Sequence, residues 1–181
     1  MTRVQLVNPA ETTPNRQAVL EQINNAFGAT PNMFKAVANS PAALKSMWGS
    51  FGALGAGVLG AKLSEQIAVA IADRNRCEYC LAAHTVLGKG AGASAEEMAA
   101  VQCGTSSDAR TGAALKFALQ VVSARGQLSS DDVGNLRAAG FDDEQIVEIL
   151  AHVALNLFTN YVNIALDVPV DFPRIALNPV A

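Results

Sequence analysis

The stretch Leu63–Gly92, LSEQIAVAIADRNRCEYCLAAHTVLGKGAG, holds the densest group of reactive side chains in the chain. Cys77 and Cys80 form a C-x-x-C motif, His84 follows one helical turn later, and Glu65 precedes the motif. Because the 181 residues include only three cysteines and two histidines, this clustering is the most distinctive feature of the sequence. Apolar residues recur at helical spacing on both sides of the motif, which predicts two consecutive helices with a break just before Cys77.

The rest of the chain also has the periodicity and the end signals of helices. Two capping boxes, Ser94-x-x-Glu97 and Asp142-x-x-Gln145, mark helix starts. Ser64 is the expected cap of the first helix of the central pair. No segment alternates convincingly as a β-strand would. The sequence therefore predicts an all-α fold, a helical bundle of about eight helices joined by short loops.

The length fits a single domain covering residues 1–181. Residues 1–13 are predicted to form an extended N-terminal arm, and the proline-containing residues 167–181 an extended C-terminal tail. A short internal echo pairs Glu65-Gln66-Ile67 with Glu144-Gln145-Ile146. This echo suggests two pseudo-repeated halves, of which only the first keeps the thiols.

Composition narrows the classes of partner. The net charge of −3 gives no basic surface for phosphates, so nucleic acid is not expected. The most apolar runs, Trp48–Ala61 and Ile146–Phe158, are too short to span a membrane. The odd cysteine count and the lack of a signal-like N-terminus predict a cytoplasmic protein with functional thiols. Apolar surface in excess of one core predicts a homo-oligomer.

The central motif has the parts of a redox dithiol site. On a helix, Cys77 and Cys80 share a face, and so do Cys80 and His84. The positive end of a helix dipole favours a thiolate, which is the form that attacks peroxides and disulfides. His84 is placed to act as a base, Glu65 could reach the same site from the preceding helix, and the phenol of Tyr79 could relay a proton.

Two other interpretations of the motif stay open. The cysteines could lie on a core helix by chance, or the two cysteines and His84 could bind zinc. A closed zinc site would need a fourth ligand, which would have to be Glu65, Cys103 or His152. Cys103 is instead expected to be a small buried or partly buried residue, and His152 a hydrogen-bonded core histidine.

The spacing from Glu65 through Cys77-Glu-Tyr-Cys80 to His84 resembles the signature of the AhpD-like alkylhydroperoxidases of the carboxymuconolactone decarboxylase superfamily. Residues 156–170 look like the closing helix of that family. The resemblance implies an all-helical, AhpD-like fold that assembles as trimers or as larger rings of trimers. It also implies hydroperoxide reduction with an external dithiol donor, such as a lipoylated protein, and with no metal or bound organic cofactor.

The same resemblance implies a role for each residue of the motif. It makes Cys80 the peroxidatic thiol, Cys77 the resolving thiol, and Glu65 with His84 the proton relay. The helix dipole alone would favour the first cysteine, but Cys80 is the thiol within one turn of His84. Tyr79 occupies the position where a well-known member of the family has a second histidine.

The expected function is therefore a thiol-dependent peroxidase that reduces alkyl or hydrogen peroxides. A thiol–disulfide oxidoreductase acting on proteins could use the same dithiol, and so could a redox sensor without peroxide turnover. Decarboxylase or lactone chemistry is less expected, because family members with that chemistry do not depend on a C-x-x-C.

Overall fold

The computed structural model describes residues 2–179, and within them every regular element is helical. This confirms the predicted all-α bundle. One 3-10 turn interrupts the N-terminal arm at Pro9–Glu11, and the outer ends of the predicted arm and tail (residues 1 and 180–181) lie outside the described residues. The α-helices in that range are α1 (Pro14–Phe27), α2 (Asn32–Val37), α3 (Pro41–Gly55), α4 (Ala61–Arg74), α5 (Glu78–Gly90), α6 (Ala95–Gln102), α7 (Ala109–Ala124), α8 (Ser130–Ala138) and α9 (Asp143–Ala165).

Helix α4 is the centre of the bundle. Residues 66–73 are all buried, because α5, α6, α7 and α9 pack around this helix. A helix that is buried on every side belongs in the core, whereas an amphipathic helix belongs on the surface. The central position of α4 brings its N-terminal half against both α5 and α9, where the candidate site lies.

The start of α4 differs from the prediction. The helix begins at Ala61, directly after Gly60 in a left-handed conformation (φ 80°), so Ser64 lies inside the first turn and is not the cap. The Ser64 hydroxyl donates to the Gly60 carbonyl at 3.0 Å. A serine can satisfy a first-turn backbone group from inside the helix as well as from the cap position, which is why its sequence signal was misleading.

The break between α4 and α5 is a Schellman turn. The N–H of Cys77 bonds the Ala72 carbonyl at 2.9 Å, and that of Arg76 bonds the Asp73 carbonyl at 3.0 Å. Arg76 takes the left-handed conformation (φ 62°) that usually falls to glycine in this motif. The turn ends at Cys77, which then serves as the N-cap of α5, so the predicted break and helix start are confirmed.

The C-terminal tail crosses the N-terminal end of α5 after α9 ends. The N–H of Asn32 donates to Asp171 at 2.8 Å, which ties the tail to α2. Farther along, the Gln102 side chain donates to the Ala176 carbonyl at 2.8 Å, and the N–H of Asn178 donates to Asp73 at 3.0 Å. These bonds hold the tail across the turn that carries the cysteines.

Helix α9 buries one face and exposes a second apolar face. The exposed large apolar side chains on it are Val147, Leu150, Phe158, Tyr161 and Ile164. None of the helices between residues 2 and 179 is both long and apolar enough to cross a membrane.

Candidate active site

The two cysteines of the motif lie at the first turn of α5. Cys77 is the N-cap, and its sulfur accepts a hydrogen bond from the N–H of Cys80 at 3.4 Å. Both thiols are free, and both residues are nearly inaccessible, with 1% of Cys77 and 2% of Cys80 exposed. The N-cap role places the Cys77 sulfur over the turn that carries Cys80.

Glu65 of α4 and His84 of α5 form a close pair. His84 Nδ1 lies 2.7 Å from Glu65 Oε2, and both side chains are largely buried. Burial by itself lowers the pKa of His84, but the charge and hydrogen bond of Glu65 outweigh it, so the pKa is raised. The pair therefore favours an imidazolium, whose other nitrogen, Nε2, is not used by this contact.

The surroundings of the two thiols differ. Burial by itself raises the pKa of Cys80. The opposing effects are larger and bring the pKa down to about 6; they come from a hydrogen bond with Cys77, the charge of His84, and the amides of Asn163 and Asn160. The Asn163 amide donates directly to the Cys80 sulfur at 3.2 Å. The pKa of Cys77 is raised well above its usual range by its hydrogen bond with Cys80, by burial and by the Cys80 charge. These surroundings therefore favour a thiolate at Cys80 over one at Cys77.

Sequence reasoning missed the asparagines around Cys80. Helix α9 faces the core mainly with apolar residues, but these asparagines belong to a buried polar stripe on it. The stripe consists of Asn156, Thr159, Asn160 and Asn163. Their helical spacing of three and four residues is the signal that could have identified them, because buried amides in a core helix need specific partners. Asn163 also donates to the Met33 sulfur at 3.3 Å, which links α9 to α2 at the site.

Tyr79 forms hydrogen bonds with groups outside the Glu65–His84 pair. Its hydroxyl accepts a hydrogen bond from the N–H of Met33 at 3.1 Å. Burial and the Asp171 carboxylate raise its pKa far above the usual range, so it stays protonated. Its ring packs edge-to-face on Phe172 at 5.7 Å. These contacts make Tyr79 a link between α5, α2 and the tail.

The remaining cysteine and histidine have different surroundings. Cys103 is exposed at the end of α6, so the prediction of a buried or partly buried residue was wrong. His152 is buried, as predicted, and its Nε2 lies 3.3 Å from the Ser64 hydroxyl. Among residues 2–179, no group of three or more His, Cys, Asp or Glu side chains is arranged to hold a metal ion.

Three cavities surround the site. One of about 120 Å³ lies between α3, α4 and α9 and is bordered by Glu65 and His84. A small apolar one of about 30 Å³ lies on another side of His84 and is also bordered by Tyr79. Cys77 borders an outer depression of about 370 Å³ that the tail partly encloses, whereas Cys80 borders none of the three.

Comparison with known proteins agrees with this fold. A model of the carboxymuconolactone decarboxylase family matches residues 41–124, which include the whole of α4 and α5. An uncharacterized peroxidase-related protein from Silicibacter sp. TM1040 is 26% identical, with a TM-score of 0.82 over 93% of this chain and 91% of that chain. An uncharacterized peroxidase-related protein with an alkylhydroperoxidase AhpD core, from Ralstonia eutropha JMP134, is 24% identical, with a TM-score of 0.86 over 94% and 92%.

A third solved structure has the same fold and another activity. The debrominase Bmp8, in complex with 2,3,4-tribromopyrrole, is 21% identical, with a TM-score of 0.79 over 94% of each chain. No curated protein matches the sequence. The family match over residues 41–124 and the peroxidase-related neighbours support an AhpD-like member of the carboxymuconolactone decarboxylase superfamily. Proteins with this fold include one named as a debrominase and others named as peroxidase-related, so the reaction must be argued from the site.

Proposed function

We propose that the protein is a thiol-dependent peroxidase that reduces alkyl or hydrogen peroxides through a dithiol–disulfide cycle of Cys80 and Cys77. The observation that carries the proposal is the unequal surroundings of the two thiols: the Asn163 amide donates to the Cys80 sulfur at 3.2 Å and the charge of His84 lowers the pKa of Cys80, whereas burial and the hydrogen bond with Cys80 raise the pKa of Cys77. A peroxidatic cysteine must be a thiolate at neutral pH, whereas a resolving cysteine can wait as a thiol.

In the first step, the Cys80 thiolate attacks the terminal oxygen of the hydroperoxide. The O–O bond breaks, and the Cys80 sulfur becomes a sulfenic acid while the remaining oxygen leaves as an alkoxide. His84 is the proposed acid, because its pKa is raised by Glu65 and its charge acts on Cys80. It gives its proton to the leaving oxygen, and Glu65 keeps the ring oriented through the 2.7 Å contact.

In the second step, the Cys77 thiol attacks the Cys80 sulfenic acid. A sulfur–sulfur bond forms, and the sulfenic oxygen leaves as water with the Cys77 proton. The Cys77 sulfur already lies within 3.4 Å of the Cys80 backbone N–H, so closing the disulfide requires only a local rearrangement of the first turn of α5.

In the third step, an external dithiol restores the enzyme. Its thiolate attacks the sulfur of Cys77, a residue that borders the outer depression, and Cys80 leaves. Cys80 is the better leaving group, because a thiol of low pKa is expelled faster. The second thiol of the donor then displaces Cys77, so two electrons pass to the enzyme and the donor becomes a disulfide. A lipoylated protein remains our expectation for this donor, and the cycle uses no metal or organic cofactor of its own.

Both thiols are buried, with 1% of Cys77 and 2% of Cys80 exposed, so burial does not distinguish a peroxide from a disulfide substrate. The thiol–disulfide oxidoreductase and the redox sensor are therefore the alternatives, and the assay below separates them.

The proposal extends to the assembly and its location. The exposed apolar face of α9 supports a homo-oligomer, which we propose to be a trimer or hexamer in the cytoplasm. We propose no nucleic acid or membrane partner. Light scattering of the purified protein tests the assembly, and a Tyr161→Glu variant is expected to weaken it.

The test of the reaction compares three cysteine variants in a peroxide-consumption assay with dihydrolipoamide as the donor. We expect Cys80→Ser to abolish turnover and Cys77→Ser to consume one equivalent and stop at a sulfenic acid that dimedone traps. Cys103→Ser is the matched control and is expected to keep the wild-type rate, because this thiol is exposed and outside the site.

Two results would refute the peroxidase. Wild-type protein that consumes no peroxide but reduces protein disulfides through Cys80 would be an oxidoreductase. Wild-type protein that is oxidised slowly, once, and is not regenerated by dithiols would be a sensor.

A further inference from the structure

The thiol that a reductant must reach is covered. In the proposed cycle the donor thiolate attacks the Cys77 sulfur, and only 1% of this residue is exposed. Cys77 borders a depression of about 370 Å³, with the start of α5 on one side and the end of α9 and residues 167–170 and 174 of the tail on the other. Thiol–disulfide exchange depends on access to the attacked sulfur, so the walls of this depression decide which donors react.

The tail wall is held without secondary structure and without a buried side chain. Residues 169–179 form no helix or strand, and none of them is buried. Phe172 packs edge-to-face on Tyr79 at 5.7 Å, but it is itself only partly buried. Segments with few buried apolar contacts open locally at free energies below that of global unfolding. Hydrogen bonds therefore decide how firmly this wall is held.

Several hydrogen bonds meet at Asn178, near the far end of the described tail. Its N–H donates to Asp73 Oδ1 at 3.0 Å, and its Nδ2 donates to Asp73 Oδ2 at 3.3 Å and to the Gln102 carbonyl at 3.2 Å. Its own carbonyl accepts from the Arg76 guanidinium. Asp73 and Arg76 belong to the turn that leads into Cys77, so Asn178 ties the tail to the segment that positions the attacked thiol.

Asp73 is the acceptor at the centre of this contact. Only 8% of the residue is exposed, and its carboxylate also accepts from Gln102 Nε2 at 2.9 Å. The same Gln102 amide donates to the Ala176 carbonyl at 2.8 Å. Hydrogen bonds to a charged acceptor are stronger than those between neutral groups, so removing the Asn178 amide should loosen the tail.

We propose that the tail is a gate over Cys77, and that Asn178 is the positioning residue that keeps it closed and thereby selects the reductant by size. With the tail closed, the depression admits a small dithiol. A folded protein that carries a dithiol reaches Cys77 only after the tail has moved off Asp73 and Arg76. The part that the gate plays in a catalytic cycle rests on the proposed function, whereas the selection by size does not.

The reaction is the same for both kinds of reductant. The donor thiolate forms a bond to the Cys77 sulfur while the Cys77–Cys80 bond breaks, and Cys80 leaves as a thiolate. The second donor thiol then displaces Cys77, so the donor ends as a disulfide and the protein as a dithiol. Only the access of the donor to the Cys77 sulfur differs.

The test measures the reduction of a disulfide that is formed without peroxide. All proteins carry Cys103→Ser, so that Cys77 and Cys80 are the only thiols. Diamide oxidises this pair to a disulfide and is itself reduced to a hydrazine, which is removed. Dithiothreitol or a reduced thioredoxin, a folded protein with an exposed dithiol, is then added. Acid quenching, alkylation and mass spectrometry give the rate constant for each reductant.

The variants loosen the gate from its two sides. Asn178→Ala is expected to raise the rate constant with thioredoxin at least tenfold and that with dithiothreitol less than twofold. Gln102→Ala, which removes the donor to Asp73 and Ala176 from the α6 side, is expected to shift the two rates in the same way. Asn135→Ala, at an exposed position of α8, is the matched control and should change neither rate.

Two results would overturn the gate. One is an unchanged thioredoxin rate in folded Asn178→Ala, or in Gln102→Ala if the first variant does not fold. The other is an equal acceleration with both reductants, which would show a general loosening of the site without selection by size. Loss of the size effect alongside intact peroxide turnover would refute the gate alone. An intact size effect in a protein that turns over no peroxide would refute the peroxidase alone.

Discussion

Replacing Asn163 by leucine tests how the fold makes Cys80 acidic. Asn163 reaches the Cys80 sulfur from α9, with its Nδ2 at 3.2 Å, and is 4% exposed. A hydrogen bond to a charged group contributes about 1.5–3 kcal/mol, and one pKa unit corresponds to about 1.4 kcal/mol. Loss of this one donor should therefore raise the pKa of Cys80 by roughly one to two units, from about 6 to about 7–8.

The assay is a pH titration of the ultraviolet absorbance of the thiolate. A Cys103→Ser background removes the exposed thiol, and the raised pKa of Cys77 keeps that residue silent below pH 8 or so. Because the folded-state pKa of Cys80 is lowered, the wild-type thiolate should form as the pH rises through about 6. In Asn163→Leu, the same transition should move to higher pH.

Asn156→Leu is the matched control for this titration. It makes the same substitution on the same helix at a residue that is also 4% exposed, but Asn156 donates to the His152 carbonyl and not to Cys80. We expect its Cys80 titration to stay at the wild-type midpoint. A midpoint that is unchanged in folded Asn163→Leu, or one that moves equally in both variants, would refute the role of the Asn163 amide.

Two further substitutions test the groups around the site. Glu65→Gln removes the charge that raises the pKa of His84, so the pKa of His84 should fall and the peroxidase kcat/KM should drop roughly a hundredfold. A histidine NMR titration measures the pKa, and peroxide kinetics measure kcat/KM. The control Glu97→Gln, on the surface, should change neither quantity. Glu148→Ala removes a carboxylate that accepts two backbone N–H groups of the turn before α4, at 2.9 and 3.0 Å. The free energy of unfolding of the Glu148→Ala variant in urea should be lower than that of the wild type by about 3 kcal/mol, whereas the exposed control Glu144→Ala should lose less than about 0.5 kcal/mol. Equal losses in the two variants would contradict a stabilising role of the Glu148 carboxylate.

The helical architecture follows from local signals that the sequence carries openly. The capping boxes at Ser94 and Asp142 both form as predicted, because a cap involves only groups within one turn of each other. The start of α5 at Cys77 is also local. The prediction of Ser64 as the cap of α4 was wrong, because a serine can also bond a nearby backbone carbonyl from inside the first turn.

In the central motif, some features follow from helical spacing and others from the packing of the helices. Helical spacing alone brings Cys77, Cys80 and His84 together, because residues three and four apart share a face of one helix. The contact of Glu65 with His84 at 2.7 Å needs α4 and α5 to pack side by side. The chemical inequality of the two thiols is not a local property.

Only the packing of distant segments decides that inequality and the cavity. Asn163 donates to Cys80 across a separation of 83 residues. The hydroxyl of Tyr79 accepts a hydrogen bond from α2, and its ring packs on the tail. A side-chain pKa depends on the charges and donors within a few ångströms, whatever their position in the chain. The sequence thus defined the helices and the reactive residues they carry, while the approach of α9, α2 and the tail decided which sulfur is the thiolate.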